Sequence, residues 1–187
     1  FEAWFGSIVV ATNLVPWTIT LHMLLALVIV GIQIKIIRLA RDRKFSLKLR
    51  PAFKYLFWFS LLLTFVQIIL GTQVRQEIDF MVKDTIDRAD WISQMPGDFL
   101  FHRSFSWLLL VVNGVLLWMN YKQHYGIPTL KWIMGLLVIE FITGILFSYA
   151  DMPAFGQPVH LLAASILLCV QYYSLDYFKY QRNSMIA

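Results

Sequence analysis

Charged residues and cysteines are both scarce in this chain. Only 14% of its 187 residues are charged, whereas about 25% is usual for a soluble domain. Its single cysteine, Cys169, excludes an internal disulfide and is interpreted as a packing residue in an apolar stretch. The first residues lack the basic segment and cleavage site of a signal peptide, and no low-complexity linker divides the chain. The low share of charged residues argues against a soluble domain, and the single cysteine argues against a disulfide-stabilised one.

Apolar residues are abundant instead. They make up 59% of the chain, and the mean hydropathy is +0.65. A helix needs about 20 mostly apolar residues to cross a bilayer, and five stretches come near that length: residues 17–37, 53–74, 101–120, 130–149 and 159–178. The sequence therefore predicts an all-α integral membrane helical bundle. Residues 1–10 resemble the end of a further helix, so we expect the sequence to be the C-terminal part of a longer protein.

Most of the positive charges lie on one side of the predicted membrane. The net charge is +5. Three regions supply most of the basic residues: Lys35, Arg38, Arg41, Arg43, Lys44, Lys48, Arg50 and Lys54; Lys122 and Lys131; Lys179 and Arg182. The opposite side has the acidic loop 75–98 and Asp151. By the positive-inside rule the basic side is cytoplasmic. The charge is thus a topology signal, and no nucleic-acid partner is expected.

A short polar pattern occurs three times, each time where an apolar stretch meets a loop. It pairs an acidic or amide residue with a glycine four positions later, and the next long apolar stretch then carries a histidine near its start. The three copies are Glu2, Gly6 and His22; Gln67, Gly71 and His102; and Glu140, Gly144 and His160. All three histidines are predicted to lie at one depth near the outer face.

His102 and His160 begin two helices of the same direction, so they could approach one iron from opposite sides. Neutral imidazole is a strong ligand of haem iron, and the sequence favours a bis-histidine haem pocket. The alternative is that each histidine bonds a backbone carbonyl at the wet interface. The fourth histidine, His124, lies in a cytoplasmic loop and is given no role.

Two arginines near the same face could pair with haem propionates. Arg103 follows His102 directly, and Arg75 ends the preceding span; guanidinium groups form bidentate bonds with carboxylates. Both could equally reach lipid headgroups or the acidic loop. Glu2 and Glu140 lie one turn deeper than their glycines. For these two glutamates a polar contact between helices is the simpler interpretation, and a part in a proton-transfer route is the more specific one.

Several segments together resemble the C-terminal portion of the haem A synthase family. They are LGTQVRQ, FHRSFS, QPVHLLAASIL and NLVPWTITLHMLLALVIV. The resemblance implies the C-terminal half of an eight-helix membrane enzyme whose two four-helix halves are related by a pseudo-twofold axis. It also implies oxidation of a ring methyl of haem O to a formyl group, which gives haem A for terminal cytochrome oxidases.

By this resemblance His102 and His160 would ligate the iron of a haem B cofactor. Arg75 and Arg103 are assigned to the same site by the charge argument above. His22 would bind the iron of the substrate, haem O. Residues 1–50 would end the N-terminal half, and residues 51–187 would form the haem-binding half. The family's catalytic glutamate has no counterpart in these residues, because Glu2 is too deep and in the wrong helix, so the catalytic residue stays unknown.

The resemblance further implies a bacterial cytoplasmic membrane protein with its haem sites toward the outer face. Haem O synthase, assembly factors of cytochrome oxidase and a second copy of the chain are possible partners. Two other functions compete with this reading. A b-type cytochrome that only relays electrons should have histidines near both faces, and a transporter or structural protein would use histidines and carboxylates as polar contacts.

Overall fold

The computed structural model describes residues 1–13, 15–40, 47–95, 97–150 and 152–178, apart from the side chains of Ala89 and Asp98. Within these ranges the chain is helical and contains no strand. Five helices there are long and apolar enough to cross a membrane, so the predicted membrane bundle is confirmed. Some residues of the charge pattern and of the loop lie outside the described ranges: Arg41, Arg43, Lys44, Pro96, Asp151, Lys179 and Arg182.

Seven α-helices follow one another along the described chain. They are α1 Glu2–Ala11, α2 Pro16–Ala40, α3 Pro51–Lys83, α4 Trp91–Gln94, α5 Gly97–Lys122, α6 Thr129–Tyr149 and α7 Gly156–Ser174. A 3₁₀ turn, Leu175–Phe178, extends α7. Proline is the first residue of α2 and α3, a position where its missing N–H costs no hydrogen bond. Four of the five predicted spans lie within one long helix, and the fifth, 159–178, covers most of α7 and the 3₁₀ turn that extends it.

The prediction that a loop begins at Arg75 is wrong, because α3 continues to Lys83. Val74, Ile78 and Met81 follow one another at helical spacing and are buried. They pack in one cluster with Trp91 and with Phe99 and Met152, and this burial keeps the extra turns helical. A short helix, α4, also lies within the predicted loop. These buried residues form a second packed cluster at the end of the bundle where His102 and His160 lie, called here the histidine end.

The opposite end of the bundle, with the loops at 47–50 and 123–128, is called here the basic end. Phe53, Phe57, Leu116 and Ile133 are at most 1% exposed in the half of the bundle next to it. The ring of Phe57 lies edge-on to that of Phe178, with centroids 4.9 Å apart. Lipid is as apolar as these side chains, so close packing stabilises such contacts more than the hydrophobic effect does. The main core of the protein is therefore at the basic end.

A chain of buried hydrogen bonds crosses the middle of the bundle and joins α3, α5 and α7. Ser60 Oγ donates to Asn113 Oδ1 at 2.9 Å, and Gln171 Nε2 donates to Ser60 Oγ at 3.0 Å. The amide of Asn113 also donates to the carbonyl of Leu109 at 2.8 Å. Such contacts fix the rotation of membrane helices relative to one another.

The α1–α2 pair lies beside this bundle. Helix α2 is held to the end of α7 by Arg38, which pairs with Asp176 and donates to the carbonyl of Tyr172 at 3.2 Å. The Arg38 side chain is only 8% exposed, so the pair is a largely buried one. Helix α1 packs against α2. The assignment of residues 1–50 to a separate half stays a prediction.

Candidate functional site

A large cavity occupies the histidine end, between α3, α5, α6 and α7, with the first turns of α2 at one side. Its volume is about 850 Å³, which lies in the range of small-molecule and cofactor sites. Most of its lining is apolar, and both His102 and His160 lie in its wall. The sequence predicted the two histidines of this cavity, and the structure brings them together.

The two imidazole rings lie close to each other across the helix pair. Their centroids are 6.4 Å apart and their planes are inclined at 72°. Two metal–imidazole bonds of about 2 Å each, with the ring radius added on both sides, come to roughly this separation. The distance is therefore compatible with one iron between the two rings.

His160 is held through its Nδ1 atom by two side chains of α6. Thr143 Oγ1 lies 2.7 Å from Nδ1, and Glu140 Oε2 lies 3.0 Å from it. The Thr143 hydroxyl also lies 2.9 Å from the carbonyl oxygen of Ile139 and 3.0 Å from that of Glu140. Two oxygens within 3.0 Å of Nδ1 favour the tautomer with its proton on that atom. In that tautomer Nε2 is left for a metal.

His102 is held differently. Gln67 Nε2 donates to the backbone carbonyl of His102 at 3.0 Å and leaves the ring free. The Nδ1 atom of His102 is buried and has no hydrogen-bond partner within the described part of the chain. A Cβ on Gly71 would lie 3.4 Å from Cε1 of this ring. An alanine at this position would therefore make only an ordinary van der Waals contact with the ring.

His22 repeats the carboxylate contact in the α1–α2 pair. Its Nδ1 lies 2.7 Å from Glu2 Oε1, although the two groups are not aligned as a linear hydrogen bond. A Cβ on Gly6 would lie 3.2 Å from Cε1 of the ring. The structure places His22 outside the lining of the cavity. Its role as a ligand of substrate haem stays a prediction.

The repeated pattern is therefore a structural unit in which one helix of a pair presents a polar side chain to the histidine of the next long helix. Glu2 and Glu140 both contact the imidazole of their copy, which agrees with the interpretation as polar contacts between helices. Gly144 departs from the other glycines, because a Cβ there would meet no atom within 4 Å. Thr143, just before it, was not singled out from the sequence.

Both arginines of the predicted site line the cavity. Arg75 pairs with Asp79 at 3.0 Å and donates from Nη1 to Gln157 Oε1 at 3.1 Å. Arg103 is exposed at the cavity wall. Gln157 was missed from the sequence, because it gave no sign that α7 would meet the extended part of α3. Both guanidinium groups stand within reach of an acidic group placed in the cavity, and pairing with propionates stays a prediction.

The donor set suits a metal that brings most of its own ligands. Among the described residues no cluster of three or more His, Cys, Asp or Glu side chains could hold a bare metal ion. Two histidines alone are sufficient for haem iron, because the macrocycle supplies the remaining four nitrogens. With its apolar wall, its volume and its two arginines, the cavity fits a haem.

A comparison with protein families gives one finding for this chain. The model of the COX15-CtaA family, described as cytochrome oxidase assembly protein, matches residues 1–172. No curated protein and no solved structure matches the chain.

Proposed function

The chain belongs to the COX15-CtaA family of cytochrome oxidase assembly proteins, the haem A synthase family, and we propose that it acts in oxidising haem O to haem A. The reaction would convert a ring methyl of haem O to a formyl group, for use in terminal oxidases. This segment would hold the haem B cofactor of the enzyme.

The observation that carries the proposal is the histidine pair. His102 and His160 lie with ring centroids 6.4 Å apart in the wall of a cavity of about 850 Å³. They come from two different helices, α5 and α7, and the spacing leaves room for one iron. Three histidines at one end also disfavour an electron-relay cytochrome, which would need ligands near both faces of the membrane.

Each residue of the site would have its own role. His102 and His160 would ligate the haem B iron, and Arg75 and Arg103 would pair with its propionates. A haem held by these two histidines would supply single-electron transfer. His22 would bind the iron of haem O, and the catalytic residue remains unassigned. We place the site toward the outer face of a bacterial cytoplasmic membrane, with haem O synthase, oxidase assembly factors and a second copy as candidate partners.

The test is haem content in the full-length protein. His102→Ala and His160→Ala are each expected to lose the haem B that the parent protein retains on purification, as measured by extraction and chromatographic identification. Haem O binding should fall only indirectly, because its proposed ligand is His22. Conversion of haem O to haem A by the parent protein tests the reaction itself.

His124→Ala is the matched control, because His124 is exposed in the loop at the basic end. This variant should keep all its haem. A parent protein without a Soret band that responds to reduction would refute the haem assignment. Full haem B content in both alanine variants would refute the ligand assignment.

A further inference from the structure

The two histidines of the cavity differ in what holds their rings. Nδ1 of His160 faces two oxygen atoms, Thr143 Oγ1 at 2.7 Å and Glu140 Oε2 at 3.0 Å. Nδ1 of His102 is buried without a hydrogen-bond partner in the described ranges. At the matching position of the repeat, Gln67 bonds the backbone of His102 instead of its ring. The two histidines thus differ in the groups around Nδ1, although they are the same type of residue.

Thr143 Oγ1 is hydrogen-bonded to Nδ1, and Glu140 Oε2 lies in close contact with the same atom. An ionised carboxylate has no hydrogen to donate, so its contact with the ring favours the tautomer that carries the proton on Nδ1. The Glu140 side chain is only 15% exposed, so water screens its contact with the ring weakly. An acceptor at Nδ1–H fixes the tautomer of a metal-bound histidine and makes its other nitrogen more basic.

We propose that Glu140, with Thr143, is a positioning residue that makes His160 the dominant electron-donating ligand of the haem, and His102 the weaker one. The inference rests on the proposed function, since it concerns the same haem. A more basic Nε2 binds ferric iron more strongly than ferrous iron, because the ferric centre carries the greater positive charge. Glu140 therefore lowers the reduction potential of the haem and slows its release.

The α1–α2 pair supports this reading independently. Glu2 Oε1 lies 2.7 Å from Nδ1 of His22, so the carboxylate contact occurs in two of the three copies of the repeat. An acidic residue and a histidine meet there on different helices from those of the first pair. The copy with Gln67 is the exception, because its polar side chain bonds the backbone of the histidine and not the ring.

The experiment compares Glu140→Gln and Thr143→Val with the parent protein, all purified at full length with haem bound. Glutamine keeps an acceptor oxygen but removes the charge, and valine keeps the shape of threonine without its hydroxyl. The measurements are the reduction potential of the bound haem, by spectroscopic titration, and the rate of haem transfer to apomyoglobin. Glu140→Gln should raise the potential and release haem about 10-fold faster or more. Thr143→Val should change both quantities in the same direction by less.

Glu77→Gln is the matched control, because it removes a carboxylate from the same end of the bundle outside the lining of the cavity and should change neither quantity. If Glu140→Gln and Thr143→Val hold haem with the potential and transfer rate of the parent, the inference is overturned while the proposed function stands. A parent protein without haem would overturn the proposed function itself. Should Glu140→Gln fail to fold, Thr143→Val decides the outcome alone.

Discussion

The two ends of the bundle use the same helices in opposite ways. At the basic end, α3, α5 and α6 bury Phe57, Leu116 and Ile133 almost completely. At the histidine end those helices, with α7, surround a cavity of about 850 Å³. In a membrane, helices associate through close packing rather than through the hydrophobic effect. Packing at one end can therefore stabilise the bundle while the other end stays open for a ligand.

The largest effect is expected from filling the cavity. In Gly71→Leu the new Cβ would already lie 3.4 Å from Cε1 of His102, and the remaining side-chain atoms must displace the ring or occupy the cavity. Bound haem, measured by absorption and extraction, should fall to background. The thermal stability of the protein without haem should be unchanged or higher, because a void has been filled.

Gly135→Leu is the control for this substitution. Gly135 is exposed on α6, and a Cβ there would meet no atom within 4 Å, so the leucine would project into lipid. Normal haem content in Gly71→Leu would mean that the cavity is not the binding site, and the contrast between the two ends would lose its functional meaning.

The second largest effect is expected on the free energy of unfolding, with no change in haem content. Phe57→Ala leaves a void in the packed half, and about 2 kcal/mol of unfolding free energy should be lost, because in lipid the cavity term remains while the transfer term is small. Unfolding in mixed detergent micelles measures this. Phe59→Ala on the same helix removes a ring that is 44% exposed and should cost little. Equal losses in the two variants would contradict the assignment of the core.

A smaller loss of stability is expected at the hydrogen-bond chain between the two ends. Asn113→Leu keeps the number and branching of the side-chain heavy atoms but removes the acceptor of Ser60 Oγ. The loss should cost about 1 kcal/mol, as polar contacts between membrane helices do. The same unfolding assay applies, and haem content should not change. Ser165→Ala is the control, since that hydroxyl bonds only Leu161 of its own helix among the described residues.

The sequence was sufficient to predict the five spans, because length and apolar content alone decide whether a helix can cross a membrane. It also predicted that the cavity would have His102 and His160 in its wall, since the spacing of the repeat places both near the start of a helix. It failed at Arg75, where charged residues suggested a loop. There the burial of Val74, Ile78 and Met81 against residues distant in sequence keeps α3 helical.

Contacts that depend on helix rotation could not be predicted. Nothing in the order of residues shows that Thr143 turns toward Nδ1 of His160 or that Gln157 reaches Arg75. Those contacts are set by how α6 packs on α7 and α3 on α7, and many rotations share one pattern of apolar residues. The inequality of the two histidines became visible only when the partners of their rings were known.

The smallest effect is expected at the rim of the cavity, where charge rather than packing acts. Arg75 already pairs with Asp79 and Gln157, so a haem propionate would share its guanidinium group. Arg103, exposed at the cavity wall, is the freer of the two to bind one. Arg103→Gln should weaken haem binding by up to about 5-fold, the scale of an exposed ion pair, and Arg75→Gln by less.

Arg50→Gln at the basic end is the control and should not change haem binding. The loss of affinity in Arg103→Gln should shrink in high salt, because exposed charges are screened. A loss that is independent of salt would place Arg103 in the packing of the site rather than at its charged rim.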